Sequence, residues 1–275
     1  MEKQTITLGQ DERLDEVNEG LRLIQRTNGL TYGTDAYLLA AYVTPAPGAL
    51  CVDLGSGSGI ISLLLAQRNR VARVVAVEIQ EPFAALIERN ATINGLQHRV
   101  CSVCADVREM TQMRLGAILG ESQGRAADIV VCNPPYMRAD SGQRNEHDEK
   151  FLARHEVCGD VNDFCVAAAR LLRFGGRFYI VYRPDRMVDL ISALRQNGLE
   201  PKRMTMVHAD EQSAPCMMLV EARLGGAPLL QTTKPLLLHA PQSRTLPHRP
   251  LSEAAQKIYD TMSFDAWLEC DAKED

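Results

Sequence analysis

The chain has 275 residues, of which 45% are apolar, and a formal net charge of -5. This length and composition allow one globular domain with a sizeable core, and the negative balance argues against a protein that coats nucleic acid generally. No apolar run approaches the roughly 18 residues that cross a bilayer, and the first residues lack the apolar core of a signal peptide. We therefore predict a cytoplasmic protein with no membrane partner.

The cysteines do not indicate disulfides or a metal site. There are eight of them, scattered through a chain without a secretory signal, so reduced thiols are expected. Cys101 and Cys104 form one CxxC, but their spacing on a strand points them to opposite faces. We predict no bound metal.

Residues 1–46 predict a hairpin and a short helix that form the N-terminal part of the main domain. Asn28-Gly29 separates the runs LRLIQ and LTYG, and Asn-Gly tolerates the positive φ of a tight turn. Thr34 is the candidate N-cap of the helix, with apolar residues at helical spacing behind it and Pro45 as its stop.

Residues 47–224 predict an α/β core. Strand-like runs are LCVDLG, RVVAVEI, VCSVCAD, DIVVCNP and RFYIVYR, and helix-like stretches lie around 60–67, 82–94, 162–172 and 186–197. This alternation predicts a mostly parallel sheet with helices on both faces. MTMVHAD and CMMLVEARL add an antiparallel closing pair, which makes a seven-stranded sheet.

Residues 225–275 predict a tail with a basic stretch and a helix. SEAAQKIYDTM reads as a helix that Ser252 caps. Between Ala222 and Ser252 every charged residue is basic, and two histidines accompany them: Arg223, Lys234, Arg244, Arg249, His239 and His248.

The first core strand ends in the motif D-x-G-x-G-x-G, formed by Asp53, Gly55, Gly57 and Gly59. Such glycines let the chain turn sharply and bring a ligand against amides at a helix start. The dinucleotide pattern G-x-G-x-x-G would need glycine where Ile60 stands, which argues against a dehydrogenase. An aspartate beside the turn favours a ligand with an ammonium group over a pyrophosphate, so S-adenosylmethionine fits better than NAD.

Two acidic residues at the next strand ends extend this predicted cofactor site. Glu78 follows Gly55 by 23 residues, a distance suited to accept hydrogen bonds from ribose hydroxyls. Asp106 is placed to meet the adenine amine, and Ile79 and Val107 stand beside the two acids. Each acid alone also fits an ordinary strand end; their order along the chain is what favours a cofactor site.

The fourth strand ends in Asn133-Pro134-Pro135-Tyr136. With this tetrapeptide the chain resembles the Rossmann-like class I S-adenosylmethionine-dependent methyltransferases that modify planar nitrogens. The resemblance implies that the Asn133 side-chain oxygen and the Pro134 carbonyl accept hydrogen bonds from the target NH2, while Tyr136 offers a face for a flipped base. The alternative is a Pro-Pro loop that merely ends a strand, with Asn133 as a cap.

Further segments are similar to the bacterial tRNA (adenine N(6))-methyltransferase family that acts on the adenosine 3′ of a valine tRNA anticodon. They are YGTDA, the loop from NPPY to ARHE, and the tail ending in QKIYDTM, and the likeness spans residues 14–262. It implies tRNA as partner, with Thr34 and Asp35 closing over the methionine moiety. Asp35 is also explained as a first-turn acid that the helix dipole favours.

Residues 137–155 mix charges without apolar periodicity and predict a mobile loop over the site. Candidate phosphate contacts in it are Arg138, Arg144, Arg154 and His155, although the acids of the loop weaken a basic-patch interpretation.

Other functions stay open: glutamine methylation of a protein factor, guanine amine methylation of ribosomal RNA, or a non-catalytic binding protein. Glutamine methyltransferases carry a separate helical N-terminal domain, whereas only about 50 residues precede the glycine turn here.

Overall fold

The computed structural model describes residues 6–17, 20–27, 33–134, 160–240 and 249–264. Its strands are β1 (Glu12–Glu16), β2 (Arg22–Arg26), β3 (Ala46–Leu54), β4 (Val71–Glu78), β5 (Val100–Cys104), β6 (Ala127–Cys132), β7 (Leu172–Tyr182), β8 (Leu199–His208), β9 (Pro215–Leu224), β10 (Gln231–Thr232) and β11 (Leu236–Leu237). Its helices are α1 (Thr34–Tyr42), α2 (Ile60–Gln67), α3 (Glu81–Ile93), α4 (Gln112–Ile118), α5 (Val161–Leu171), α6 (Met187–Gln196) and α7 (Glu253–Thr261).

One sheet runs through the centre of the molecule in the order β10-β8-β9-β7-β6-β3-β4-β5, and β11 also pairs with β8. The strands from β7 to β5 are parallel, and β9 runs antiparallel between β7 and β8. The predicted Rossmann-like α/β fold, with seven main strands and an antiparallel closing strand, is confirmed. The chain order reverses between β3 and β6, and such a switch point opens a crevice at the carboxyl edge of a sheet.

The central strands are buried on both faces. Successive residues of β6 alternate between two hydrophobic clusters: Ile129 and Val131 pack on one side of the sheet, Val130 and Cys132 on the other. Strands covered by helices on both faces read as continuous apolar runs, which is why the sequence located them well.

The described N-terminal hairpin is formed by β1 and β2. β2 joins the preceding strand β1 in an antiparallel ladder, and the Val17 amide donates to the Leu21 carbonyl across a turn in which Gly20 has positive φ. The apolar LRLIQ run was correctly identified as a strand, and its described partner is the polar segment before it. The predicted partner LTYG lies outside the described residues except for Gly33. The Asn28-Gly29 turn lies outside the described residues.

One predicted helix cap is wrong, and one helix was not predicted. Helix α1 begins at Thr34 itself, and its N-cap is Gly33 without a side-chain cap, so Thr34 is a first-turn residue. Helix α4 between β5 and β6 was not predicted; the Thr111 hydroxyl caps it by accepting from the Arg114 amide. The tail helix was predicted correctly, since the Ser252 hydroxyl accepts from the Ala255 amide at the start of α7.

A buried arginine joins the ends of α1 and α7. Arg70 is 4% exposed, and its guanidinium donates to the carbonyls of Ala41, Val43 and Met262. Carbonyls at helix C-termini lack partners within the helix and carry partial negative charge. One cation therefore satisfies the last turns of both helices and fixes the C-terminal segment against α1.

None of the helices in the described part of the chain is long and apolar enough to span a membrane.

We predict that Arg70→Met lowers the free energy of unfolding by about 3 kcal/mol, because several buried carbonyls lose a charged donor. Arg114→Met is the control: Arg114 forms an exposed ion pair with Glu109 at 3.0 Å, and such pairs contribute less than about 1 kcal/mol. Urea denaturation of both variants measures the difference. Equal losses would show that Arg70 does not join the two helices.

Candidate active site

The glycine turn and the Asn133 segment leave neighbouring strands at the same level of the sheet. In the parallel ladder between β3 and β6, Leu54 pairs with Cys132. Gly55 and Asn133 therefore both follow directly at the carboxyl edge, in the crevice that the switch point opens. The structure brings together two motifs that the sequence placed at separate strand ends.

The turn after β3 uses its glycines for backbone shape. Gly55, Gly57 and Gly59 have φ of 72°, 55° and 86°, in the left-handed region that other residues rarely adopt. At Gly59 packing is also tight, because an added Cβ would lie 3.1 Å from carbon atoms of Ile87, which would have to shift. Gly59 caps helix α2, so the turn delivers the chain directly to a helix N-terminus.

Asn90 fixes this turn to the N-terminal hairpin, and sequence reasoning missed it. Its Nδ2 donates to the carbonyls of Ser58 and Ile24, both at 3.0 Å, and its Oδ1 accepts from the Ile24 amide at 2.7 Å. Asn90 is fully buried on the apolar face of α3. A polar residue at a core position is the signal that could have identified it, because buried polar groups need partners.

Asp53 is a buried carboxylate with an incomplete set of partners. The Ser62 hydroxyl donates to its Oδ2 at 2.7 Å, whereas Oδ1 has no hydrogen-bond partner in the described part of the chain. Burial raises the pKa of Asp53 to about 6, since desolvation disfavours the charged form. An ammonium group of a ligand would supply the missing partner, so this atom fits the predicted cofactor. Ser62, the one polar residue of helix α2 before Gln67, was also missed.

Glu78 lies next to the turn at the end of β4. Its Oε2 accepts from the Gly57 amide and its Oε1 from the Gln80 amide, both at 2.9 Å. A carboxylate has about four lone-pair sites, so each oxygen keeps capacity for a further donor. The arrangement suits the predicted contact with ribose hydroxyls.

Asp106 continues this edge of the sheet beyond β5. The Ala105 amide donates to the Glu78 carbonyl at 3.0 Å, which places the two predicted acids on neighbouring strands. The Asp106 carboxylate is bound by the Arg108 guanidinium, which lowers its pKa. Beside the acids, Val107 is buried and Ile79 is half-buried.

Asn133 contacts Asp35 across the crevice. The Asn133 Nδ2 donates to the Asp35 Oδ2 at 3.0 Å, a contact between residues 98 positions apart. Asp35 Oδ1 accepts from the amide of Ala36 at 2.9 Å. Pro134 is buried.

Pro135 and Tyr136 of the tetrapeptide lie outside the described residues. The same is true of the predicted loop 137–155, with its candidate phosphate contacts, and of Arg244 and His248 in the tail.

Thr34 lies beside helix α7. Thr34 interacts with Tyr259 of α7, and it lines a cavity of about 980 Å³ between β1, α1 and α7. Of the two residues predicted to close over the methionine moiety, the structure therefore brings Asp35, but not Thr34, to Asn133.

The fold and this crevice define a Rossmann-like methyltransferase. The sequence matches the family model of the methyltransferase small domain over residues 28–197, and the chain belongs to this family. Membership confirms the predicted enzyme class, with S-adenosylmethionine as the methyl donor.

Relatives and solved structures agree with this family. The chain is similar to the tRNA1(Val) (adenine(37)-N6)-methyltransferase of Porphyromonas gingivalis, with 30% identity over 70% of this chain and 73% of that one. It is also similar to the protein of the same name from Aeromonas hydrophila, with 33% identity over 58% and 61% of the two chains. A predicted O-methyltransferase from Agrobacterium tumefaciens shares the fold at TM-score 0.66 and 21% identity, covering 84% of this chain and 97% of that one.

We predict that affinity for S-adenosylmethionine falls at acidic pH. The ligand's ammonium favours ionised Asp53, and because the pKa of Asp53 is about 6, protonation below that pH removes the attraction. The dissociation constant should rise about tenfold per pH unit below 6, measured by calorimetry between pH 5 and 7. Asp53→Asn should bind weakly at every pH in that range. A pH-independent wild-type affinity would argue against an Asp53 contact with the ammonium.

Proposed function

We propose that the protein transfers the methyl group of S-adenosylmethionine to the exocyclic N6 amine of an adenine in tRNA, next to the anticodon. The observation that carries this proposal is the position of Asn133, a planar amide at the strand end beside the glycine turn, with its NH2 bound to Asp35. The relatives from Porphyromonas gingivalis and Aeromonas hydrophila, both named tRNA1(Val) (adenine(37)-N6)-methyltransferase, support adenine in tRNA as the target.

Residues around the glycine turn hold the methyl donor in this proposal. Asp53 binds the ammonium group, Glu78 the ribose hydroxyls, and Asp106 the adenine amine. Ile79 and Val107 supply apolar contact on either side of that edge. When bound, S-adenosylmethionine supplies a methyl group activated by a sulfonium charge that disappears on transfer.

The target amine is held by acceptors on the other side of the crevice. The Asn133 Oδ1 and the Pro134 carbonyl oxygen accept its two hydrogens, which draws the nitrogen lone pair out of conjugation with the ring. Alignment of this kind can lower a barrier by about 7 to 11 kcal/mol. Tyr136 stacks on the flipped base, a contact of about 1 to 3 kcal/mol.

The basic residues of the segment 137–155 are the proposed contacts to the tRNA phosphates. Such contacts set the register of a nucleic acid without reading its sequence. Because tRNA is the partner, we place the protein in the cytoplasm.

The target is identified by incubating the full chain with radiolabelled S-adenosylmethionine and separate tRNA, ribosomal RNA and protein fractions from a bacterial extract. Label should enter tRNA, and digestion of that tRNA should give N(6)-methyladenosine. Label in a protein fraction would indicate glutamine methylation instead, because a glutamine side chain presents the same planar NH2. Methylguanine from ribosomal RNA would also overturn the proposal.

We predict that Asn133→Ala lowers kcat at least about 100-fold, because misplacing a reacting group costs about that much. The dissociation constant for S-adenosylmethionine should change less than about threefold, since the lost bond goes to the target nitrogen. Single-turnover methylation and calorimetry separate the two quantities. Gln196→Ala, which removes an exposed amide at the end of α6, is the control. Equal loss of rate and cofactor affinity would contradict the role.

A further inference from the structure

We propose that Asp35 is a positioning residue that sets which end of the Asn133 amide faces the target amine. The inference rests on the proposed function. The role that it gives Asp35 differs from the two roles that the sequence suggested. Asp35 acts through Asn133, rather than by binding the methionine moiety or by interacting with the helix dipole.

The contact fixes the orientation of the amide by chemistry. An ionised carboxylate is an acceptor only, whereas an amide has a donor end and an acceptor end. At 3.0 Å from the Asp35 Oδ2, the nitrogen end of Asn133 is the end that can form a hydrogen bond. The amide is planar, so its Oδ1 points away from Asp35. A target amine needs an acceptor, and Oδ1 is the acceptor end of this amide.

The carboxylate itself is held in place from two directions. Its second oxygen accepts from the Ala36 amide at 2.9 Å, so both oxygens are engaged. Helix α1 is in turn packed on α7: the rings of Tyr37 and Tyr259 stack with centroids 4.4 Å apart, and the Tyr37 hydroxyl donates to the Tyr259 carbonyl at 2.7 Å. A site residue on a helix that is packed in this way is positioned more precisely than a residue on a loop.

The three roles predict different results for Asp35→Asn and Asp35→Ala. An asparagine at this position has one acceptor oxygen for two donors, the Ala36 amide and the Asn133 NH2. If that oxygen accepts from the Ala36 amide, the NH2 of the introduced asparagine faces Asn133. It then favours a flipped Asn133 amide, whose NH2 rather than its oxygen would face the target amine. An alanine removes the partner without imposing the wrong orientation. Asp35→Asn should therefore be the more damaging change, although it is the more conservative one.

The test measures single-turnover methylation of the tRNA fraction with the full chain. Asp35→Asn should lower kcat about 100-fold, close to the loss from Asn133→Ala. Asp35→Ala should lower it about 3- to 10-fold, because the amide still samples the competent orientation. Affinity for S-adenosylmethionine should stay within about threefold in both. The control is Glu253→Gln, which neutralises an exposed first-turn acid of α7 and should leave the rate unchanged.

A double-mutant cycle tests whether Asp35 acts through Asn133. In the Asn133→Ala background, Asp35→Asn should change kcat less than about twofold, because residues that act as one unit are not additive. Additive losses would overturn the proposal. A large rise in the dissociation constant for S-adenosylmethionine would assign Asp35 to the methionine moiety. Lower stability with normal kcat would assign it to the helix dipole.

A readout independent of any substrate separates this inference from the proposed function. In an ¹⁵N–¹H spectrum, the Asn133 side-chain NH2 is the pair of signals lost in Asn133→Ala, and we expect both Asp35 variants to shift it strongly while Glu253→Gln does not. An unmoved pair would overturn the Asp35 role whatever the target is. A shifted pair with no methylation of tRNA would leave the Asp35 contact standing and reject the proposed function.

Discussion

The register between β3 and β6 is the constraint on which the site depends. Both strands are buried on both faces. Residues 51–54 of β3 pair in register with residues 129–132 of β6. A slip of one residue would turn every side chain to the opposite face, so the packed helices hold the pairing in place. Since that register sets where each strand ends, it brings Gly55 and Asn133 to one crevice from distant parts of the sequence.

Negative charge collects around this crevice, and each carboxylate is accommodated differently. Asp53 is buried with one hydroxyl donor, and burial raises its pKa. Glu78 has two backbone amides, one from the glycine turn itself. Asp35 has a backbone amide and the Asn133 side chain. Asp53 and Glu78 are buried, and buried acids suit a cationic ligand, which matches a donor that carries both an ammonium and a sulfonium.

The parts predicted correctly from sequence are those with a local signal. Strands buried on both faces are continuous apolar runs, and the Ser252 cap lies next to the helix that it starts. The parts that were missed depend on distant partners. The Asn90 bonds to Ser58 and Ile24 and the contact of Asp35 with Asn133 join segments that no period in the sequence connects. The sequence could nominate Asn133 as an acceptor, but it gives no sign of the hydrogen bond between the Asn133 amide and Asp35 of helix α1.

The C-terminal segment therefore contributes to the site although it lies beyond the residues that the family model matches. The match to the family model ends at residue 197. Beyond it, Tyr259 stacks on Tyr37, and the Met262 carbonyl accepts from Arg70. Both contacts hold helix α1, and α1 carries Asp35. The glycine turn has a further tie to α3 and the hairpin through Asn90. Changes in the tail should therefore reach the site through helix α1 and Asp35.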